Sequence, residues 1–196
     1  MNAVDWDEKY QAADRLWSAG PNMFVADRLG NVPAGAGLDL ASGEGRNAIW
    51  LAERGWEMTA VDFSEVAVER GRAVSDRVEW EVADVREWRP DRVFDLVVIA
   101  YLHLVEQEMR EVVTRAASWL EGGGELFMIG HDRSNIERGH GGPQVSEILW
   151  ETDLLRSWIE GMVVVESQVV RRPVDTPEGS KVARDTLVRA RQPVDS

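Results

Sequence analysis

The run Leu38-Asp39-Leu40-Ala41-Ser42-Gly43-Glu44-Gly45-Arg46-Asn47-Ala48 constrains this chain more than any other stretch. It reads as a buried strand, a glycine turn and the first turn of a helix. That order is the nucleotide-cradling element of doubly wound α/β proteins. Gly43 permits the tight turn, and Gly45 lets the backbone approach a ligand with no Cβ between them. The spacing Gly43-x-Gly45-x-x-Ala48 also fits a dinucleotide fingerprint with Ala in the last place.

Two cofactors compete for such a turn, a dinucleotide such as NAD and S-adenosylmethionine. Asp39 discriminates between them. A pyrophosphate needs bare backbone N–H groups and the positive end of a helix, which a fixed carboxylate opposes. S-adenosylmethionine has no phosphate. Its sulfonium and ammonium suit a neighbouring carboxylate, directly or through water.

Around this turn the chain alternates strand and helix patterns, which predicts a mainly parallel sheet with helices on both faces. Strands are expected over 37–41, 58–62, 78–82, 94–100 and 125–130, and helices over 45–53, 65–73 and 106–120. Ser64 is an expected N-cap. The continuous apolar run Phe94 to Ala100 suits a central parallel strand buried on both faces. Gly122-Gly123-Gly124 is expected to break the 106–120 helix before the fifth strand. Residues 131–144 are polar and Gly-rich and read as a long loop, a candidate lid. A helix over 151–158 follows, then two β segments, 163–170 and 184–191, joined by a turn bearing Pro173, Pro177 and Gly179. The pair suggests an antiparallel edge. At 196 residues one domain is expected. It spans 31–192, after a helical cap over 1–30 and before a frayed tail at 193–196.

A formal net charge of -13 argues against nucleic acid bound by phosphate neutralisation and against anionic membranes. The absence of cysteine excludes disulfides, thiolate zinc sites and Cys nucleophiles. The three histidines show no ligand spacing, so no metal is expected. The first twenty residues are charged rather than apolar, which leads to the expectation of a cytoplasmic protein. A monomer is the default.

Ligands in open α/β sheets bind outside the carboxyl ends of the strands. Those ends carry Asp39 and the glycine turn, Asp62, Asp84 with Val85, and Ala100-Tyr101. Asp62 lies nineteen residues after Gly43, near the spacing of an acid that holds ribose hydroxyls. Asp84 could accept from an exocyclic adenine amine while a backbone N–H reaches a ring nitrogen.

The runs 38–55, Val61-Asp62-Phe63-Ser64, Ala83-Asp84-Val85, Phe94 to Val98 and Leu120 to Gly124 resemble the class I S-adenosylmethionine-dependent methyltransferases. The likeness covers roughly 32–130. The Gly43-Glu44-Gly45-Arg46-Asn47 turn and the Asp7-Glu8-Lys9-Tyr10 start are similar to the tellurite-resistance and thiopurine methyltransferase branch. The resemblance implies a single-domain, Rossmann-like, doubly wound seven-stranded sheet in the order 3-2-1-4-5-7-6, with the last strand antiparallel. It implies S-adenosyl-L-methionine as cofactor, with Asp39, Ala41, Gly43, Gly45 and Asn47 at the turn. Asp62 would hold the ribose, with Phe63 beside the adenine and Asp84 and Val85 at its edge. Ala100 and Tyr101 would line the floor near the sulfonium, and Trp17 would cap the pocket by stacking or a cation–π contact. One departure is Ala41, where the family pattern has its first glycine; a negative φ there would leave only a methyl to accommodate.

Methyl transfer is an in-line displacement, and a general base is needed only if the nucleophile must lose a proton. Tyr101, His103, His131 and Arg133, after strands four and five, are the candidate substrate-facing groups, with His131 and Tyr101 the candidate catalytic residues. Leu102 and Leu104 flank His103 as expected core residues. Arg171 and Arg172 could bind an anionic substrate but read as surface residues. The expected function is methyl transfer to a small-molecule acceptor. An NAD(P)-dependent oxidoreductase is disfavoured by Asp39, by the length and by the lack of a Tyr-x-x-x-Lys dyad. A non-catalytic S-adenosylmethionine-binding protein is the other alternative.

Overall fold

The computed structural model describes residues 3–11 and 20–194. The elements run α1 (Ala3–Gln11), α2 (Met23–Leu29), β1 (Ala36–Leu40), α3 (Arg46–Ala52), β2 (Glu57–Asp62), α4 (Glu65–Val74), β3 (Val78–Val82), β4 (Phe94–Ala100), α5 (Glu106–Ser118), β5 (Leu120–His131), α6 (Asn135–Arg138), α7 (Thr152–Ser157), β6 (Val163–Thr176) and β7 (Gly179–Arg191). The strands join in the order β3-β2-β1-β4-β5-β7-β6. β7 runs antiparallel to both its neighbours. This is the predicted sheet. The chain divides into two compact units, 1–98 and 99–196.

In the first unit β1, β2 and β3 pair in parallel, with Asp39 opposite Ala60 and Asp62 opposite Val82. Leu38, Leu40, Ala60 and Val61 are fully buried, as strands covered on both faces require. Ser64 caps α4 as predicted, its hydroxyl accepting from the Ala67 N–H at 3.1 Å. It also donates to the carboxylate of Asp7 on α1. Asn22 caps α2 through its side-chain oxygen.

The second unit departs from the sequence reading in three places. First, α5 ends at Ser118, ahead of the triple glycine, and β5 starts at Leu120 rather than at Glu125, so the glycines lie inside the strand. Gly123 N–H donates to the Gln192 carbonyl at 2.9 Å, and Gln192 N–H to the Gly124 carbonyl at 2.8 Å. Glycine suits this stretch because Gly123 has φ +87°. Second, β6 and β7 form one long hairpin closed at the Thr176–Gly179 pair. Pro173 therefore sits within β6, an edge strand, where a missing N–H is tolerated. Third, 131–144 is not a free loop. Asp132 bridges Trp150, α6 forms within it, and Asn135 Nδ2 donates to the Gly141 carbonyl at 2.8 Å. The short polar side chains that looked like loop composition satisfy the local backbone instead.

Candidate functional site

β1 ends at Leu40, and the following turn is held by two backbone bonds: Ser42 N–H to the Val61 carbonyl at 3.1 Å and Gly45 N–H to the Ser42 carbonyl at 3.0 Å. Three residues here take left-handed backbone: Ala41 at φ +57°, Gly43 at +57° and Gly45 at +72°. The condition of a negative φ at Ala41 is not met. Its Cβ is carried in a conformation that costs about 1–2 kcal/mol for an L-residue, and the surrounding bonds hold it there. Gly45 also differs from expectation. A Cβ on it would come within 2.1 Å of the Trp80 ring, so this glycine admits a neighbouring indole.

Asp39 is 1% exposed. Its Oδ2 accepts the Ala48 N–H of α3 at 3.2 Å, while its Oδ1 has no partner. Burial pushes the carboxyl up to about 7; the Ala48 N–H and Arg46 pull it down, and the Asp62 charge raises it. Asp62, at the end of β2, is also buried. It accepts Gly43 N–H at 2.8 Å through Oδ2 and Ser64 N–H at 2.9 Å through Oδ1. Burial raises its carboxyl too, against those two N–H groups. Asp62 therefore staples the turn, and each oxygen keeps a second lone pair.

The other sequence-predicted residues of this unit are placed as follows. Asn47 is buried, and its side-chain oxygen accepts the Asn22 N–H at 2.9 Å, tying α3 to the start of α2. Phe63 and Asp84 are half-buried, and Val85 is buried. Arg86 grips Asp84 by a fork, with Nη2 2.6 Å from Oδ2 and Nε 3.0 Å from Oδ1. That Arg86 bond holds the Asp84 carboxyl below the usual range, against its partial burial. Trp17 lies outside the described residues. A cleft of about 300 Å³ lined by Thr59, Glu79, Glu81 and Trp88 shares no residue with the turn.

In the second unit Ala100 is half-buried and Tyr101 has φ +59°. Strain of this kind in a non-glycine residue points to a functional constraint. Tyr101 N–H donates to the Ile129 carbonyl at 2.7 Å, and its hydroxyl donates to Asp185 Oδ2 at 2.8 Å. Arg172 Nε donates to the same Oδ2 at 2.7 Å and to the Tyr101 hydroxyl at 3.0 Å. Arg172 is thus more than a surface cation; its Nε–H is spent on Asp185 and Tyr101, with the side chain 24% exposed. Burial would raise Asp185, but the close His131 imidazole and the bonds from Arg172 and Tyr101 outweigh it and hold the carboxyl low.

β5 and β7 pair His131 with Asp185 directly. His131 Nδ1 lies 3.1 Å from Asp185 Oδ1. The rings of His103 and His131 stack at 5.3 Å and 12°. His103 Nδ1 meets the Ile148 carbonyl at 3.0 Å, and its Nε2 has no partner. Burial pushes His103 down to about 4, helped by His131, so it is neutral at physiological pH. Leu102 and Leu104, expected in the core, are only half-buried. Arg133 pairs with Glu151 at the surface. Sequence reading brings Tyr101, His103 and His131 into view and misses Asp185. The available signal is an Asp at an apolar-face position, between Ala183 and Leu187 at spacing two.

Comparison with known proteins agrees with this geometry. A methyltransferase domain family matches residues 38–124. A demethylmenaquinone methyltransferase from Clavibacter sepedonicus is 38% identical over 92 residues, covering 45% of this chain and 36% of that one. Nodulation protein S from Rhizobium tropici is 29% identical over 158 residues, covering 71% of this chain and 66% of that one. The chain thus spans about a third and about two thirds of the lengths of these relatives. Two solved structures share the fold. The N-methyltransferase NodS of Bradyrhizobium japonicum WM9, solved with S-adenosyl-L-homocysteine, is 19% identical at TM-score 0.71, covering 98% of this chain and 100% of that one. TehB of Haemophilus influenzae is 14% identical at TM-score 0.74, covering 97% of this chain and 67% of that one.

The sheet order and the acid-flanked glycine turn define a nucleotide-binding α/β protein of the methyltransferase type. Residues 38–124 match a methyltransferase domain family, and the sheet has the strand order of the class I methyltransferase fold.

Proposed function

We propose that the protein transfers the methyl group of S-adenosylmethionine to a small-molecule acceptor. One observation carries the cofactor choice: a buried carboxylate, Asp39, with one oxygen lacking any partner, beside a left-handed glycine turn. An orphaned buried acid fits a cationic ligand group and not a pyrophosphate. The same residue already occupies the Ala48 N–H at the start of α3, one of the donors a dinucleotide phosphate would use. S-adenosylmethionine supplies a methyl carbon activated by its sulfonium.

In this reading Asp39 balances the cofactor's positive charge, and Ala41, Gly43 and Gly45 shape the turn against it. Asn47 anchors α3, on which that turn depends. Asp62 offers its remaining lone pairs to ribose hydroxyls while it staples Gly43. Phe63 packs beside the adenine, and Asp84, oriented by Arg86, accepts from the exocyclic amine next to Val85. On the acceptor side the reading assigns catalysis to His131, with Tyr101 beside it. The net charge of -13 supports a small acceptor over a nucleic acid, and it opposes contact with anionic membranes. A monomer in the cytoplasm completes the reading. Among the described residues no helix is long and apolar enough to cross a membrane.

Isothermal calorimetry of the whole chain with S-adenosylhomocysteine, run beside NADH, tests this. Saturable binding of the former and none of the latter is expected. Binding of NADH alone would replace the reading with an oxidoreductase.

A further inference from the structure

Asp185 is completely buried, and its two oxygens face different partners. Oδ2 takes both donors supplied by the chain, the Tyr101 hydroxyl and Arg172 Nε. Oδ1 is left for His131 Nδ1, 3.1 Å away. The contact is close but not aligned as a hydrogen bond, and neither atom has another partner. Acid–imidazole pairs commonly tighten into alignment only once substrate is bound. A carboxylate at Nδ1 selects the neutral tautomer protonated there and leaves the lone pair on Nε2.

The surroundings favour a proton arriving at Nε2. Arg172 keeps Asp185 ionised, so a developing imidazolium meets a full negative charge. His103, stacked on the ring, is neutral and adds no repulsion. Over Nε2 passes Gly142, at φ +74°, where a Cβ would come within 2.9 Å of that nitrogen. Bare backbone at this point keeps the ring's outer edge from being blocked by a side chain.

We propose that His131 and Asp185 form a proton-accepting pair, with Asp185 as the positioning residue, and that the acceptor attacks through an oxygen or nitrogen that must shed a proton. The inference rests on the methyl-transfer reading and narrows it. The acceptor's proton passes to His131 Nε2, while Nδ1–H stays on Asp185. The lone pair so freed forms the bond to the methyl carbon, and the carbon–sulfur bonding pair remains on sulfur. Thiols and chalcogen anions, which attack without such help, become the disfavoured class.

The test is 15N NMR of the histidine rings in the full chain at pH 7.5, with His131→Asn to assign the signals. A neutral His131 ring protonated on Nδ1 is expected. A wild-type ring protonated on Nε2, or on both nitrogens, overturns the proposal. Asp185→Asn should abolish the tautomer preference; an unchanged spectrum in the folded variant also overturns it. With S-adenosylmethionine, release of S-adenosylhomocysteine is then followed on catechol, a primary amine, 2-mercaptoethanol and tellurite. Turnover of catechol or the amine is expected. His131→Asn should lower kcat about a hundredfold or more with S-adenosylhomocysteine affinity unchanged. Transfer only to the thiol or tellurite, transfer to neither protic probe, or a full-rate His131→Asn overturns it. Failure to bind S-adenosylhomocysteine at all defeats the methyl-transfer reading instead.

Discussion

Asp39 and Asp185 are both carboxylates buried to 1% exposure or less, each at a strand of its own unit, and they have opposite fates. Asp185 meets a built-in cation: Arg172 Nε and the Tyr101 hydroxyl both donate to its Oδ2. Its Oδ1 only faces His131 without an aligned bond, yet the carboxyl is held below the usual range. Asp39 has one N–H and an orphaned oxygen, and burial pushes it up to about 7. A buried acid bonded to a cation of its own chain is already charge-balanced, and its second oxygen is free to organise a neighbour such as His131. One whose partners are missing is electrostatically incomplete until a cation arrives. The first arrangement stabilises the fold; the second withholds stability in favour of binding.

Breaking the complete site should have the largest effect. Asp185→Ala strips Arg172 and the Tyr101 hydroxyl of a shared buried partner, and a loss of about 3–5 kcal/mol is expected in urea unfolding. If the cost is near zero, the network is ornamental and the contrast between the two acids disappears. Asp39→Asn should act in the other direction. Asp39 titrates at about 7 when folded against an ordinary value of 3.8, so the stability it contributes is full below that ordinary value and is lost as pH climbs through about 7. Asparagine does not ionise, so at pH 8 the ligand-free variant should gain stability, by an amount bounded at about 4 kcal/mol. At pH 4 the two proteins should be nearly equal; a gain that does not vary with pH would disprove the electrostatic account.

Gly45→Ala sharpens the comparison at the turn itself. It adds a Cβ at φ +72°, 2.1 Å from the Trp80 ring, and should cost about 2–3 kcal/mol. Trp80→Leu should recover the packing part of that loss but not the backbone part. The smallest effect belongs to Arg70→Ala, which removes a part-exposed pair with Glu44 at 3.1 Å. Less than about 1 kcal/mol is expected there.

The two sites also differ in how far the sequence displays them. The glycine turn is one contiguous segment, so strand, turn, helix and acid are read together, and Asp62 follows at a characteristic spacing. What stays hidden there is conformational. The left-handed φ of Ala41 depends on Ser42 bonding to β2, and the need for Gly45 depends on an indole thirty-five residues away. The cluster around His131 is assembled across β5, β6 and β7, and its content depends on antiparallel register. A hairpin turn reaching from Pro173 to Gly179, as the composition suggests, leaves that register open. The observed two-residue turn sets His131 against Asp185 and brings Arg172 to the same carboxylate. A one-residue slip would send that Asp to the opposite face. Local chemistry is therefore legible in the sequence and register-dependent chemistry is not.

The central claim, that Asp39 awaits a cationic ligand, is tested most directly by measuring S-adenosylmethionine affinity from pH 6 to pH 8 in the wild type and in Asp39→Asn. A cation favours the ionised acid, so wild-type affinity should rise roughly tenfold across that range and level off above it, while the variant stays flat and weak. Equal affinities with no pH dependence would contradict the account and remove Asp39 from the cofactor site.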